Sequence, residues 1–140
     1  MSRAHAILSA SASHRWLVCT PSARLESRFP DKGSPYAAEG TKAHSLAEET
    51  LRRFLAGGDS TVCCEDGEMR EAVQFYVDVC IEKITAARNA SPDAKILVEE
   101  RLDFSEYVPQ GFGTGDAVIV SDDGLEVVDL KYGKGVRVEA

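Results

Sequence analysis

Three residues near the C-terminal end of the sequence have the types and spacing to do chemistry: Asp116, Asp129 and Lys131. They lie in Gly113-Thr-Gly-Asp116-Ala-Val-Ile-Val-Ser-Asp-Asp-Gly-Leu-Glu-Val-Val-Asp129-Leu-Lys131. This stretch reads as two strands joined by a tight turn of the Asp-Gly kind. Counting back through the turn places Asp116 and Asp129 at the same end of the ribbon. Two carboxylates gathered there form a hard oxygen site suited to Mg²⁺ or Mn²⁺. Without a cation they repel, and one keeps its proton to higher pH. Lys131 follows Asp129 by two residues, so in a strand the two share a face. An ammonium there can orient a water and stabilise charge growing on a phosphate. The intervening Leu130 points to the opposite, buried face, and its carbonyl could offer the cation an oxygen.

The elements that must position these groups follow from periodicity. Ser11 or Ser13 can cap a short helix over Ser-His-Arg-Trp-Leu-Val, which Pro21 should end nearby. Residues 24–33 read as a loop, with Pro30 and Gly33 as breakers. Ser34-Pro35 is a cap followed by proline at the first helical position. The helix over 37–56 carries Ala43, Leu46, Ala47, Leu51, Phe54 and Leu55 on one stripe, and Gly57-Gly58 stops it. From Glu68 to about Arg88, Met69, Val73, Tyr76, Cys80, Ile84 and Ala87 recur every three or four residues, the pattern of one buried helical face. Strands are expected over 95–102, 116–121 and 125–130, with a loop at 105–115. Helices followed by strands make the class α+β, with a small mixed sheet flanked by helices.

The 140 residues suit one domain over 1–140. Hydrophobic residues at 44% and charged residues at 28% exclude a wholly disordered chain. No apolar run reaches the roughly 18 residues of a membrane span. The net charge is −7, but residues 1–58 carry 8 Lys/Arg against 5 Asp/Glu, while residues 59–140 carry 8 against 18. An acidic half is a solvated surface or a gathering of carboxylates for a metal, and composition does not choose. The four cysteines, Cys19, Cys63, Cys64 and Cys80, form no C-x-x-C pair. Cys80 falls on the apolar helical face, and with no signal-like h-region the expectation is a cytoplasmic chain with reduced thiols.

Asp116 followed by Asp129-Leu-Lys131 at the end of the next strand resembles the signature of the PD-(D/E)XK nuclease superfamily. Glu39-Gly-Thr-Lys-Ala-His44 on a helix resembles the Gly-x-x-x-His element of its RecB-like branch. Ser11-Ala-Ser-His-Arg-Trp-Leu-Val-Cys19-Thr-Pro21 is similar to that branch's N-terminal helix, in the manner of phage-associated members. The resemblance implies a restriction-endonuclease-like core. It implies His44 as a metal ligand, Asp116 as the bridging carboxylate ligand, Asp129 as the second carboxylate, Lys131 as the catalytic lysine and Glu39 as a further acidic contributor. The implied activity is a metal-dependent DNA nuclease, an exonuclease by analogy, acting through a metal-activated water with Mg²⁺ or Mn²⁺.

The family core runs helix, three strands, helix, strand. This sequence reaches Ala140 just after the third strand, so the resemblance implies a domain lacking its C-terminal core helix and last strand. Cys19 matches the early cysteine of relatives that bind an iron–sulphur cluster, and the other three of that set would lie past residue 140. Implied partners are DNA and a phage recombination or replication protein. Lys134 and Arg137, in a glycine loop, are candidate DNA contacts. Arg52 is a solvated helix-face residue or a phosphate contact. The alternative is an inactive nuclease-like fragment or subunit, a DNA- or protein-binding module that self-associates through an exposed sheet edge.

Overall fold

The computed structural model describes residues 6–29 and 35–133. These group into two compact units, one of residues 6–29 with 101–114 and one of 35–100 with 115–133.

In the first unit a 3₁₀ turn (Ala10–Ala12) leads into α1 (Ser13–Trp16) and then α2 (Pro21–Glu26). Trp16 is half-buried and donates its indole N–H to the Ser9 carbonyl at 2.8 Å. Arg15 pairs with Glu26 at 3.1 Å. The short helix expected from Ser13 is present as α1 and ends before Pro21. The loop expected from residue 24 is not: Pro21 opens α2, which takes in Arg24, Leu25 and Glu26. The physical reason is that proline's fixed φ and missing N–H suit the first helical position as well as they suit a break.

The second unit holds the main core. Helix α3 spans Pro35–Leu55, with proline at its first position. Gly57 takes a φ of +89° just past its end, a conformation glycine adopts without Cβ strain. The following loop is pinned by side chains. Arg53 bonds Asp59 and the Thr61 carbonyl, and Gln74 bonds the Val62 N–H and the Ser60 carbonyl. Asp66 caps α4 (Gly67–Ala90) by accepting from the Met69 N–H at 3.1 Å. The expected α4 stripe is buried from Met69 through Ile84, and Cys80 lies wholly inside.

Strands β1 (Lys95–Asp103), β2 (Phe112–Ser121) and β3 (Gly124–Val128) form a three-stranded sheet in that order. The sheet is antiparallel, not the mixed one expected, because neither connection, residues 104–111 between β1 and β2 nor the two-residue turn between β2 and β3, is long enough for a parallel crossover. Ser121 pairs with Gly124, so the turn residues are Asp122 and Asp123, and Gly124 starts β3 at φ +150°. Strand β2 begins at Phe112, inside the expected loop, and β3 ends at Val128, two residues early. Leu51 from α3, Val73 and Tyr76 from α4, Val98 from β1, Ala117 and Ile119 from β2 share one core, to which Leu130 also belongs. Each of the fully buried Leu, Ile and Val side chains among them contributes about 1.5–3 kcal/mol. The result is an α+β arrangement with α3 and α4 packed on the sheet.

Candidate metal centre

Helix α3 commits Ala43 and Ala47 to the core, which leaves His44 at the flank of the buried stripe. Its imidazole is 32% exposed, with Nδ1 3.4 Å from Asp116 Oδ1 and 3.4 Å from Glu99 Oε1. Glu99 comes from β1, where the neighbouring Val98 is in the core. Its backbone sits at φ +49°, a left-handed conformation that costs a non-glycine residue about 1–3 kcal/mol. Asp116 lies in β2 with its side chain 10% exposed. Its Oδ2 accepts the Leu130 N–H at 2.7 Å, which fixes the carboxylate and leaves Oδ1 toward His44.

His44, Glu99 and Asp116 each offer a ligand atom within 4.8 Å of the others, and they are the single such group among the described residues. Donors shared by one small octahedral cation are about 3–4 Å apart, given bonds near 2.1 Å. The 3.4 Å separations match that spacing. One imidazole nitrogen and two carboxylate oxygens are a donor set suited to Mn²⁺ or Mg²⁺. No cysteine joins it, and no cysteine set that could hold an iron–sulphur cluster occurs among the described residues.

Burial pushes the Asp116 carboxyl above its ordinary 3.8, helped by the Asp129 charge and opposed by the Leu130 N–H, His44 and Lys131. Burial and the Asp116 charge likewise raise Glu99 above its ordinary 4.5, against the pull of His44. A carboxyl raised by folding stabilises the fold while both states are protonated and loses that contribution as pH rises through its folded pKa. Metal-free stability should therefore fall as pH rises from about 4 through the raised values. Glu99→Gln should flatten this slope, as read by urea unfolding in EDTA across that range. A slope unchanged by the substitution would count against the raised Glu99 pKa.

The pairing of Ala117 with Val128, carried one step further, places Asp129 opposite Asp116. Asp129 stands outside the three-residue group and forms an ion pair with Lys131, both largely exposed. Leu130, between them, is 6% exposed and belongs to the core. Glu39 is exposed and lines a cleft of about 270 Å³ together with Asp66, Glu68, Lys131, Tyr132 and Gly133. Arg52 is tied down within the protein: it donates to Glu48 at 2.9 Å and to the Val98 carbonyl at 2.8 Å. Lys134 and Arg137 lie outside the described residues.

Glu99 is the site residue that sequence reasoning missed. Its signal is faint: the acidic pair Glu99-Glu100 interrupts an otherwise apolar strand start. Its left-handed backbone leaves no trace in the sequence.

No helix among the described residues is long and apolar enough to cross a membrane. A protein-family model described as "Protein of unknown function (DUF2800)" matches residues 5–140. No solved structure matches the chain.

Proposed function

We propose that this chain, which belongs to the DUF2800 family, is a metal-dependent nuclease that hydrolyses DNA phosphodiester bonds. The observation that carries the reading is the convergence of His44, Glu99 and Asp116 from a helix and two strands. The order of elements around it and the Asp129-Leu-Lys131 stretch agree with a restriction-endonuclease-like domain over residues 1–140 of the PD-(D/E)XK kind. A bound Mg²⁺ or Mn²⁺ supplies Lewis-acid polarisation of the phosphate and lowers the pKa of a water.

The chain's own residues do the rest. Asp116, with one oxygen anchored by the Leu130 N–H, presents the other as a fixed ligand. Glu99 and His44 complete the donor set from two further elements. Asp129 and Lys131 stand at the end of the hairpin, where the ammonium orients the attacking water and meets charge developing on phosphorus. Glu39 adds negative charge to the cleft beside Lys131. Exonucleolytic action, a phage origin and a recombination or replication partner follow from the resemblance alone, and a cytoplasmic setting from the cysteine pattern and the lack of a signal-like segment.

A second reading is an inactive module that joins a partner through the sheet edge. It is favoured by Leu125 and Val127, 64% and 56% exposed on β3, the last strand of the sheet. Incubation of the purified chain with linear DNA separates the two. The nuclease reading expects cleavage with Mn²⁺ or Mg²⁺ that stops in EDTA. Intact DNA under every metal condition would reject it in favour of the module.

A further inference from the structure

We propose that Arg52 is a positioning residue for the metal centre, holding Glu99 in its left-handed backbone conformation so that its carboxylate reaches the cation. The inference rests on the metal reading of His44, Glu99 and Asp116 and assigns a role to a residue outside that group.

The geometry is specific. One donor of the Arg52 guanidinium, Nε, bonds Glu48 Oε1 at 2.9 Å, and another, Nη2, bonds the Val98 carbonyl at 2.8 Å. That carbonyl belongs to the peptide group joining Val98 to Glu99. The orientation of this peptide plane relative to the Glu99 Cα is the φ angle of Glu99, which stands at +49°. A non-glycine residue does not hold such an angle unless its surroundings over-determine it. Two constraints act on the plane. Val98 is anchored in the core by its side chain, 4% exposed, and its carbonyl is held by Arg52.

Glu48 completes the clamp. It sits one helical turn before Arg52 on α3 and fixes the guanidinium from the other side. Arginine suits this task because its planar fork presents two donors in fixed directions, whereas lysine presents a point charge on a flexible stem. Helix α3 therefore supplies the centre twice: His44 as a ligand, and Arg52, two turns further along, as the support for a ligand on another element. A side chain that acts through a ligand's conformation affects metal affinity only while that ligand is present.

The test is a double-mutant cycle on Mn²⁺ binding, with Arg52→Met and Glu99→Ala alone and together, followed by calorimetry and the Mn²⁺ electron paramagnetic resonance signal. Arg52→Met should weaken Mn²⁺ binding about 10- to 100-fold, the usual effect of losing a group that orients a ligand. In the Glu99→Ala background the same change should have no further effect. Arg52→Lys, which keeps the charge beside Glu48 without the fork, should fall between wild type and Arg52→Met. An unchanged affinity in Arg52→Met overturns the proposal. Equal weakening with and without Glu99 also overturns it, since that is the mark of general loosening of the fold. A wild type that binds no Mn²⁺ defeats the metal reading itself, whereas normal wild-type binding with either of the other results defeats only the role of Arg52.

Discussion

Asp116→Asn should abolish Mn²⁺-dependent DNA cleavage while leaving the chain folded. Asparagine has nearly the shape of aspartate and one carbonyl oxygen. The Leu130 N–H, now bonded at 2.7 Å, will claim that oxygen. The amide nitrogen then faces His44 and Glu99, where it can donate but cannot ligate. The loss in Mn²⁺ affinity should exceed about 100-fold, the upper range for disturbing a mere supporting group. Asp116→Ala should lose affinity to the same degree and also destabilise the fold. It leaves the Leu130 N–H without its acceptor, at a cost of about 1–3 kcal/mol. Calorimetry and urea unfolding on the two variants separate the ligand from the latch. Full Mn²⁺ affinity in Asp116→Asn would remove Asp116 from the centre.

Lys131→Met should produce the opposite dissociation, with Mn²⁺ affinity kept and cleavage lost. The lysine is outside the ligand group and its side chain is 66% exposed, so its removal opens no cavity. Its charge nevertheless falls close enough to Asp116 to oppose the rise in that carboxyl's pKa. Removing one preorganised group that stabilises transition-state charge slows a reaction by about 10²–10³-fold. The fall should appear in kcat, with the Mn²⁺ titration unchanged. Asp129→Ala frees the ammonium from its ion pair and tests whether that pair holds the lysine in place. Cleavage at the wild-type rate in Lys131→Met would leave the metal centre standing and dismiss the lysine from the chemistry.

The sequence made the hairpin legible through its turn residues, but its register came from the structure, which keeps only Asp122 and Asp123 in the turn and puts Gly124, expected in the turn, into β3. Once Asp122 and Asp123 are the turn, arithmetic alone sets Asp116 against Asp129. The long helices were legible as well. A stripe such as Met69, Val73, Tyr76, Cys80 and Ile84 repeats often enough to be unambiguous, and these residues are buried. Of the short elements, α1 was legible and α2 was not. Pro21 suits both the region after one helix and the first position of the next, and here it does both, following α1 and opening α2.

Within the candidate site, His44 was visible through the Gly-x-x-x-His resemblance, and it meets Asp116. Glu99 was hidden because its role depends on a backbone angle, and left-handed φ at glutamate has no compositional marker. Arg52 is the exposed helix-face residue expected, its side chain 56% exposed. That it also reaches the Val98 carbonyl, 46 residues away in sequence, shows only in the fold.

The Leu130 amide gives Asp116 a duty beyond its place in the candidate metal group. The same carboxylate that could offer a ligand oxygen also anchors the segment carrying Asp129 and Lys131. Because the donor is a backbone amide, it survives any side-chain change at 130 except Leu130→Pro, so the hairpin and the carboxylate it holds behave as one piece whenever Asp116 is kept.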